Sequence, residues 1–208
     1  MKFSAAILSL VAGSAVASTD PVEVLVCVES LCSACETFVT DYLIPTAAIP
    51  GMRSIMSVTY VPFGNAHIDL DAKTVLCQHG ETECFANSYE QCAIDIYPDQ
   101  DDFLPFVGCV AKIPTQFKMS QDSSFEDCAD QAGLDFSLIS SCHSDPSRAW
   151  DLQVSNSELT PEDHTYTPWI VVDGELYDNA SHDLQKAVCD AYEAKGGDGG
   201  EACKTATI

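Results

Sequence analysis

Two cysteines with two residues between them, Cys32 and Cys35, are the part of this sequence best suited to chemistry. A Cys-x-x-Cys at the start of a helix places its first sulfur at the helix N-terminus. There unpaired N–H groups and the helix dipole favour thiolate and lower the thiol pKa. The second sulfur, one turn further in, is more buried and close enough to resolve a mixed disulfide formed by the first. On this reading Cys32 attacks, Cys35 resolves, and the pair cycles with no metal and no organic cofactor. The same spacing also permits a structural staple or half of a zinc site, so the elements around it must decide.

Those elements are legible on both sides. Val24 to Val28 is a continuous apolar, β-branched run, as expected of a strand buried on both faces. It leads directly into Glu29-Ser-Leu-Cys-Ser-Ala-Cys35, after which Phe38, Val39, Tyr42 and Leu43 repeat at helical spacing until Pro45. A second strand reads at Ile55 to Val61 and stops at Pro62. Trp169 to Val172 reads as a further strand that turns at Asp173-Gly174 and returns through Glu175 to Tyr177, because Asp-Gly suits the positive φ angles of a tight hairpin. Asp183 to Glu193 closes the chain as a helix with an apolar stripe of Leu184, Ala187, Val188 and Tyr192.

Just before the later strand stands Thr167-Pro168, where thioredoxin-like folds place a cis-proline beside the active cysteines. An ordinary trans proline is the alternative, since cis accounts for only about 5% of X-Pro bonds. In a cis-proline site Thr167 and Pro168 bind substrate, Thr167 presenting its backbone to an extended segment. The motif in this setting favours redox chemistry over a staple or zinc. The expectation is an α/β, thioredoxin-like domain over residues 18–208, with a disulfide-stapled, mainly helical insertion at about 65–160. That region holds six cysteines, helical patterns at Cys84 to Ile94 and Phe103 to Ala111, and little strand pattern.

Composition bounds the rest. Residues 1–17 carry Lys2, the largely apolar run Ala5 to Val11, and Ala15-Val16-Ala17, and so read as a signal peptide for export. No other stretch has the roughly 20 apolar residues needed to span a bilayer, so no membrane insertion is expected. A formal charge of -23 would repel nucleic acid, and an acidic compartment would relieve the self-repulsion. Eleven cysteines fit oxidising space, and their odd number leaves at least one unpaired. Cys189 and Cys203 are expected to bridge, because the Gly196 to Gly200 stretch can close the short loop between them. Cys27, inside the first strand, is then the odd one. Cys77, Cys84, Cys92, Cys109, Cys128 and Cys142 are disulfide candidates of open connectivity. Asn179-Ala-Ser181 is the sole glycosylation sequon, with Asn179 the acceptor.

Cys77-Gln-His-Gly-Glu-Thr-Glu-Cys84, continuing through Asn87 to Cys92, resembles the signature of the gamma-interferon-inducible lysosomal thiol reductase family. The resemblance extends to Glu29 to Cys35, Val61 to Ala66, His164 to Trp169, and Cys189 and Cys203. It implies a reductase that cleaves disulfides in protein substrates at acidic pH in endosomes or lysosomes, drawing electrons from small thiols. Cys32 and Cys35 match the redox pair, and Cys77, Cys84 and Cys92 match cysteines taken as structural. His79 looks like a zinc ligand, but a stapled loop is the more economical reading and no metal is expected. Ser33-Ala34 departs from the Pro-Gly of several relatives, so the direction of electron flow stays open between reductase and oxidase or isomerase. Secretion is the alternative to lysosomal residence. A non-enzymatic, disulfide-rich binding protein is the remaining rival.

Overall fold

The structure, a computed structural model, describes residues 19–114, 122–177 and 183–204; the expected signal segment 1–17 and Asn179 lie outside the described residues. Its frame is a four-stranded sheet in the order β2-β1-β5-β6. Strand β1 (Val22–Val28) pairs in parallel with β2 (Met56–Pro62) and antiparallel with β5 (Trp169–Val172), which pairs with β6 (Glu175–Leu176). Asp173 and Gly174 both take positive φ in the β5–β6 turn.

One face of β1, carrying Val22, Val24, Val26 and Val28, packs into the main core. The other face is less uniformly covered than its apolar run implies: Glu23 is exposed, Leu25 is half-buried, and only Cys27 is sealed. The cover there is a small hairpin, β3 (His67–Asp69) with β4 (Thr74–Leu76), whose Ile68 and Val75 pack on Cys27, Val61, Phe63 and Trp169. Sequence pattern misses this hairpin because its strands are three residues long and mostly exposed.

Two expected stops move. Ile55 ends a short helix, α3 (Met52–Ile55), and β2 runs through Pro62 rather than halting before it. As an edge strand, β2 needs no second row of donors, and Phe63 N–H, not Pro62, donates to Val28 O at 2.9 Å. The helix after Cys35 likewise does not end at Pro45. Helix α1 (Ser33–Thr37) passes into a π turn (Phe38–Leu43) and on into α2 (Ile44–Ala47), where Pro45 sits in the first turn. The π turn shifts the ladder by one residue, Ile44 N–H donating to Val39 O, so the missing proline donor falls where little is lost.

Between β3–β4 and β5 the described residues form five helices: α4 (Glu81–Ile96), α5 (Gln100–Val110), α6 (Asp122–Ala132), α7 (Phe136–Ser144) and α8 (Pro146–Leu159). Asp99, Asp135 and Asp145 cap α5, α7 and α8 by accepting backbone N–H groups of the first turn. Tyr89 stacks on Phe125 and on His143, with ring centroids 4.4 and 4.0 Å away, at the centre of this layer. Disulfides tie Cys92 of α4 to Cys142 of α7 and Cys109 of α5 to Cys128 of α6, and Cys77–Cys84 closes the loop entering α4. After β6, α9 (Leu184–Ala194), capped by Asp183, is joined to α10 (Gly200–Cys203) by Cys189–Cys203.

Loop closure predicts how these staples rank. Cys92 and Cys142 are 50 residues apart and Cys77 and Cys84 only 7, so replacing each pair by alanine is expected to cost about 4 and about 2 kcal/mol respectively. Guanidinium unfolding of the two double variants checks the order.

Candidate active site

The turn from β1 into α1 sets the position of Cys32. Leu31 takes φ 70, a left-handed conformation uncommon for a branched residue, and this redirects the chain so that Cys32, extended at φ -79 and ψ 109, caps α1. The Cys32 Sγ accepts the Cys35 N–H at 3.2 Å, an N-cap made by sulfur. Its thiol is pulled down from 9.0 to about 6: the hydrogen bond from the Cys35 thiol contributes most, and the Thr167 hydroxyl and Cys35 backbone N–H add to it. Partial burial and the Glu29 charge work against it. Cys35, only 2% exposed, is pushed the other way, far above the ordinary thiol range, first by burial and then by Cys32. One sulfur is thus held ready as thiolate and its neighbour as thiol.

The second wall comes from a segment 135 residues away in sequence. The Thr167–Pro168 peptide is cis, and Thr167 Oγ1 lies 3.6 Å from Cys32 Sγ. Beside it a groove of about 410 Å³ runs along Ala34, Phe38, Tyr42, Tyr166 and Pro168. Its aromatic lining and the adjacent partly exposed sulfur can seat an apolar side chain flanking a substrate disulfide. A larger depression of about 520 Å³ surrounds the Cys109–Cys128 disulfide and holds no free thiol.

Beneath the turn lies a buried polar clamp that sequence reasoning does not single out. Ser30 N–H donates to Asn87 Oδ1 at 2.8 Å and its hydroxyl to Glu90 Oε2 at 3.1 Å, so α4 holds the residues just before Cys32. Glu29, 2% exposed, accepts the Asn65 N–H at 2.7 Å and the Thr167 hydroxyl at 3.4 Å. Gly64, at φ +57, lies against the Glu29 carboxylate so closely that a Cβ would overlap it. His79 Nδ1 stands 2.8 Å from Glu83 Oε2 and 3.6 Å from Glu29 Oε1. Glu29, Asn87 and Glu83 all fall inside the sequence blocks flanking the cysteines. A single acidic residue at a strand end, however, reads as an ordinary solvated loop residue until its partners are known.

Glu29, His79 and Glu83 bring three ligand-type atoms within 4.8 Å of one another. Those atoms already have hydrogen-bond work: Glu83 Oε2 accepts the His79 N–H at 2.6 Å, and Glu29 is shared between Asn65 and Thr167. Cys77 and Cys84, which would have completed a zinc set around His79, are joined to each other. Cys27 is unpaired and sealed on β1, its thiol pushed up to about 12 by burial.

A thiol-specific measurement follows. In the reduced protein, the rate of Cys32 alkylation by iodoacetamide should level off above pH about 6 and fall about tenfold per pH unit below it. Peptide mapping should find Cys27 and Cys35 unlabelled until the chain unfolds. A Cys32 rate still rising near pH 9 would contradict the stabilised thiolate.

Residues 23–132 match the family model described as "Gamma interferon inducible lysosomal thiol reductase (GILT)". A "Gamma-interferon-responsive lysosomal thiol protein" of Arabidopsis thaliana is 33% identical over 172 residues, 80% of this chain and 69% of its own length. A "Gamma-interferon-inducible lysosomal thiol reductase" of Mus musculus is 31% identical over 182 residues, 84% of this chain and 69% of its own length. Among solved structures, reduced DsbA of Mycobacterium tuberculosis superposes with a TM-score of 0.61 at 18% identity, covering 89% of each chain. Oxidised BdbD of Bacillus subtilis does so with 0.60 at 15% identity, over 84% of this chain and 87% of its own. The fold they share with this chain is thioredoxin-like.

Proposed function

The chain belongs to the gamma-interferon-inducible lysosomal thiol reductase family, and on that premise we propose that it reduces disulfide bonds in protein substrates at acidic pH through Cys32 and Cys35. The Cys32 thiolate attacks one sulfur of the substrate disulfide, and the electron pair of the broken bond leaves on the other sulfur, which is protonated. Cys35 then loses its proton, attacks Cys32, and releases the first substrate sulfur as a thiol. Small thiols restore the dithiol, so no resident cofactor is required.

The observation that carries this reading is the divided chemistry of the pair: an accessible sulfur with a thiol near 6 and a sealed partner one turn away. At pH 4.5 a thiol of pKa about 6 holds about a thousandfold more thiolate than one left near 9. Thr167 and Pro168 would align an extended segment against Cys32, and the aromatic groove would favour disulfides flanked by apolar residues. A route through the secretory pathway to lysosomes or the cell exterior fits the family names and the cysteine load. No helix among the described residues is long and apolar enough to cross a membrane. Stabilised thiolate also favours the reduced pair, which is the poise of an oxidase, so the reduction potential measured against glutathione separates the two directions.

Insulin-disulfide reduction at pH 4.5 and 7 tests the proposal. Wild type should be active and faster at the acidic pH relative to an unactivated thiol, Cys32→Ser should be inactive yet folded, and Cys35→Ser should accumulate a covalent mixed disulfide. A Cys35→Ser protein that forms no adduct would sink the assignment of roles.

A further inference from the structure

Thr167 has one hydroxyl proton and two neighbours that can accept it. Its Oγ1 is 3.6 Å from Cys32 Sγ and 3.4 Å from Glu29 Oε1. A thiolate and a carboxylate both lack a proton, so whichever receives the Thr167 O–H leaves the other facing bare lone pairs. The same Oε1 of Glu29 faces His79 Nδ1 at 3.6 Å, and the His79 ring is about a third exposed. The four groups form a continuous line from the reactive sulfur, through Thr167 and a sealed carboxylate, to an imidazole in contact with solvent. The line joins three distant parts of the chain.

We infer that Glu29 is a positioning residue for the thiol chemistry, governing Cys32 through the Thr167 hydroxyl according to how far its own charge is neutralised from the His79 side. The inference rests on Cys32 being the attacking thiol. The Glu29 carboxylate competes for the Thr167 proton and repels the Cys32 thiolate. When its charge is offset, Thr167 is released to donate to Cys32, and attack on a substrate disulfide becomes easier. Glu29 forms no bond in the step itself: the new S–S bond is between Cys32 and substrate, and the departing substrate sulfur carries the electron pair and takes its proton from solvent.

The surroundings of Glu29 make its charge consequential. From the α4 side it meets His79 and Glu83, a second carboxyl that burial pushes above its ordinary value. Glu90 and Glu36 line a small cavity with Glu29 and Cys35, and Cys32 faces it across Thr167. Among these, His79 is the one basic group, its Nδ1 2.8 Å from Glu83 Oε2 and 3.6 Å from Glu29 Oε1. The Asn65 N–H and Gly64 hold the carboxylate in place whatever its charge, so the line stays geometrically intact.

The test is the pH profile of Cys32 alkylation in the full-length reduced protein, read by peptide mapping, with thermal unfolding as the check on folding. Glu29→Gln keeps the shape and removes the charge: alkylation at pH 5 should rise several-fold, up to about fivefold, and the plateau should begin at lower pH. In a Thr167→Val background the same change should have a much smaller effect. His79→Asn removes the one basic group beside Glu29 together with its 2.8 Å contact to buried Glu83; provided thermal unfolding shows it folded, it should move the profile in the opposite direction and lower the rate at pH 5. A flat response to Glu29→Gln, an equal shift with and without the Thr167 hydroxyl, or a His79→Asn shift of the same sign would each overturn the inference. If insulin reduction persists in Cys32→Ser, the assignment of the attacking thiol fails instead. If it is abolished there while Glu29→Gln is silent, only the role of Glu29 fails.

Discussion

The hydrogen bond from Ser30 N–H to Asn87 Oδ1 is the contact on which the site most depends. It joins the turn that launches α1 to the helix that opens the inserted layer, and both partners are buried. A buried N–H left without a partner costs on the order of 1–3 kcal/mol, so the turn and α4 are obliged to keep one relative position. With that position fixed, Leu31 can hold its left-handed conformation and Cys32 can cap α1. Without it, the cap that accepts the Cys35 N–H would have no reason to persist in preference to a relaxed turn. The reactive sulfur is thus set by a side chain 55 residues further along the chain.

The acidity of the molecule raises a problem that the site solves locally. With a net charge of -23, the general field disfavours any further anion, a thiolate included. Glu29 adds a nearby negative charge, and partial burial works in the same sense. Short-range donors outweigh these effects: the Cys35 thiol and the Cys35 N–H converge on one sulfur, and the Thr167 hydroxyl is shared between it and Glu29. At hydrogen-bond distance such donors act with little screening, whereas the diffuse charge of the surface is attenuated by solvent and salt. The layout therefore tolerates a strongly acidic exterior around a stabilised thiolate.

The inserted helices carry more than bulk. Cys77–Cys84 shapes the loop that holds His79 and Glu83, and Cys92–Cys142 anchors the far side of α4 to α7. The staples sit on the element that grips the active-site turn, while the sheet that carries the turn contains no disulfide among the described residues and keeps its one extra thiol, Cys27, sealed and inert. Keeping the bridges off the sheet that carries Cys32 and Cys35 keeps structural disulfides apart from the pair proposed to exchange.

The strand, turn and helix around Cys32 and Cys35, and the hairpin at Trp169 to Tyr177, are legible in the sequence because each depends on local signals: an unbroken β-branched run, helical spacing, an Asp-Gly turn. The same holds for the chemistry open to a Cys-x-x-Cys at a helix start and for Thr167-Pro168 as its neighbour. Proline stops at residues 45 and 62 were legible but misplaced, since whether a missing N–H matters depends on an edge position and a π turn that only the assembled sheet and helix provide. The partners of the cysteines in the insertion, the cover over Cys27, and the line from Cys32 through Thr167 and Glu29 to His79 came from tertiary structure alone. Sequence pattern registers which residues are apolar and at what interval. It does not register which buried carboxylate faces which hydroxyl across 138 residues, because that distance is closed by the packing of the whole core and by no local preference of either residue.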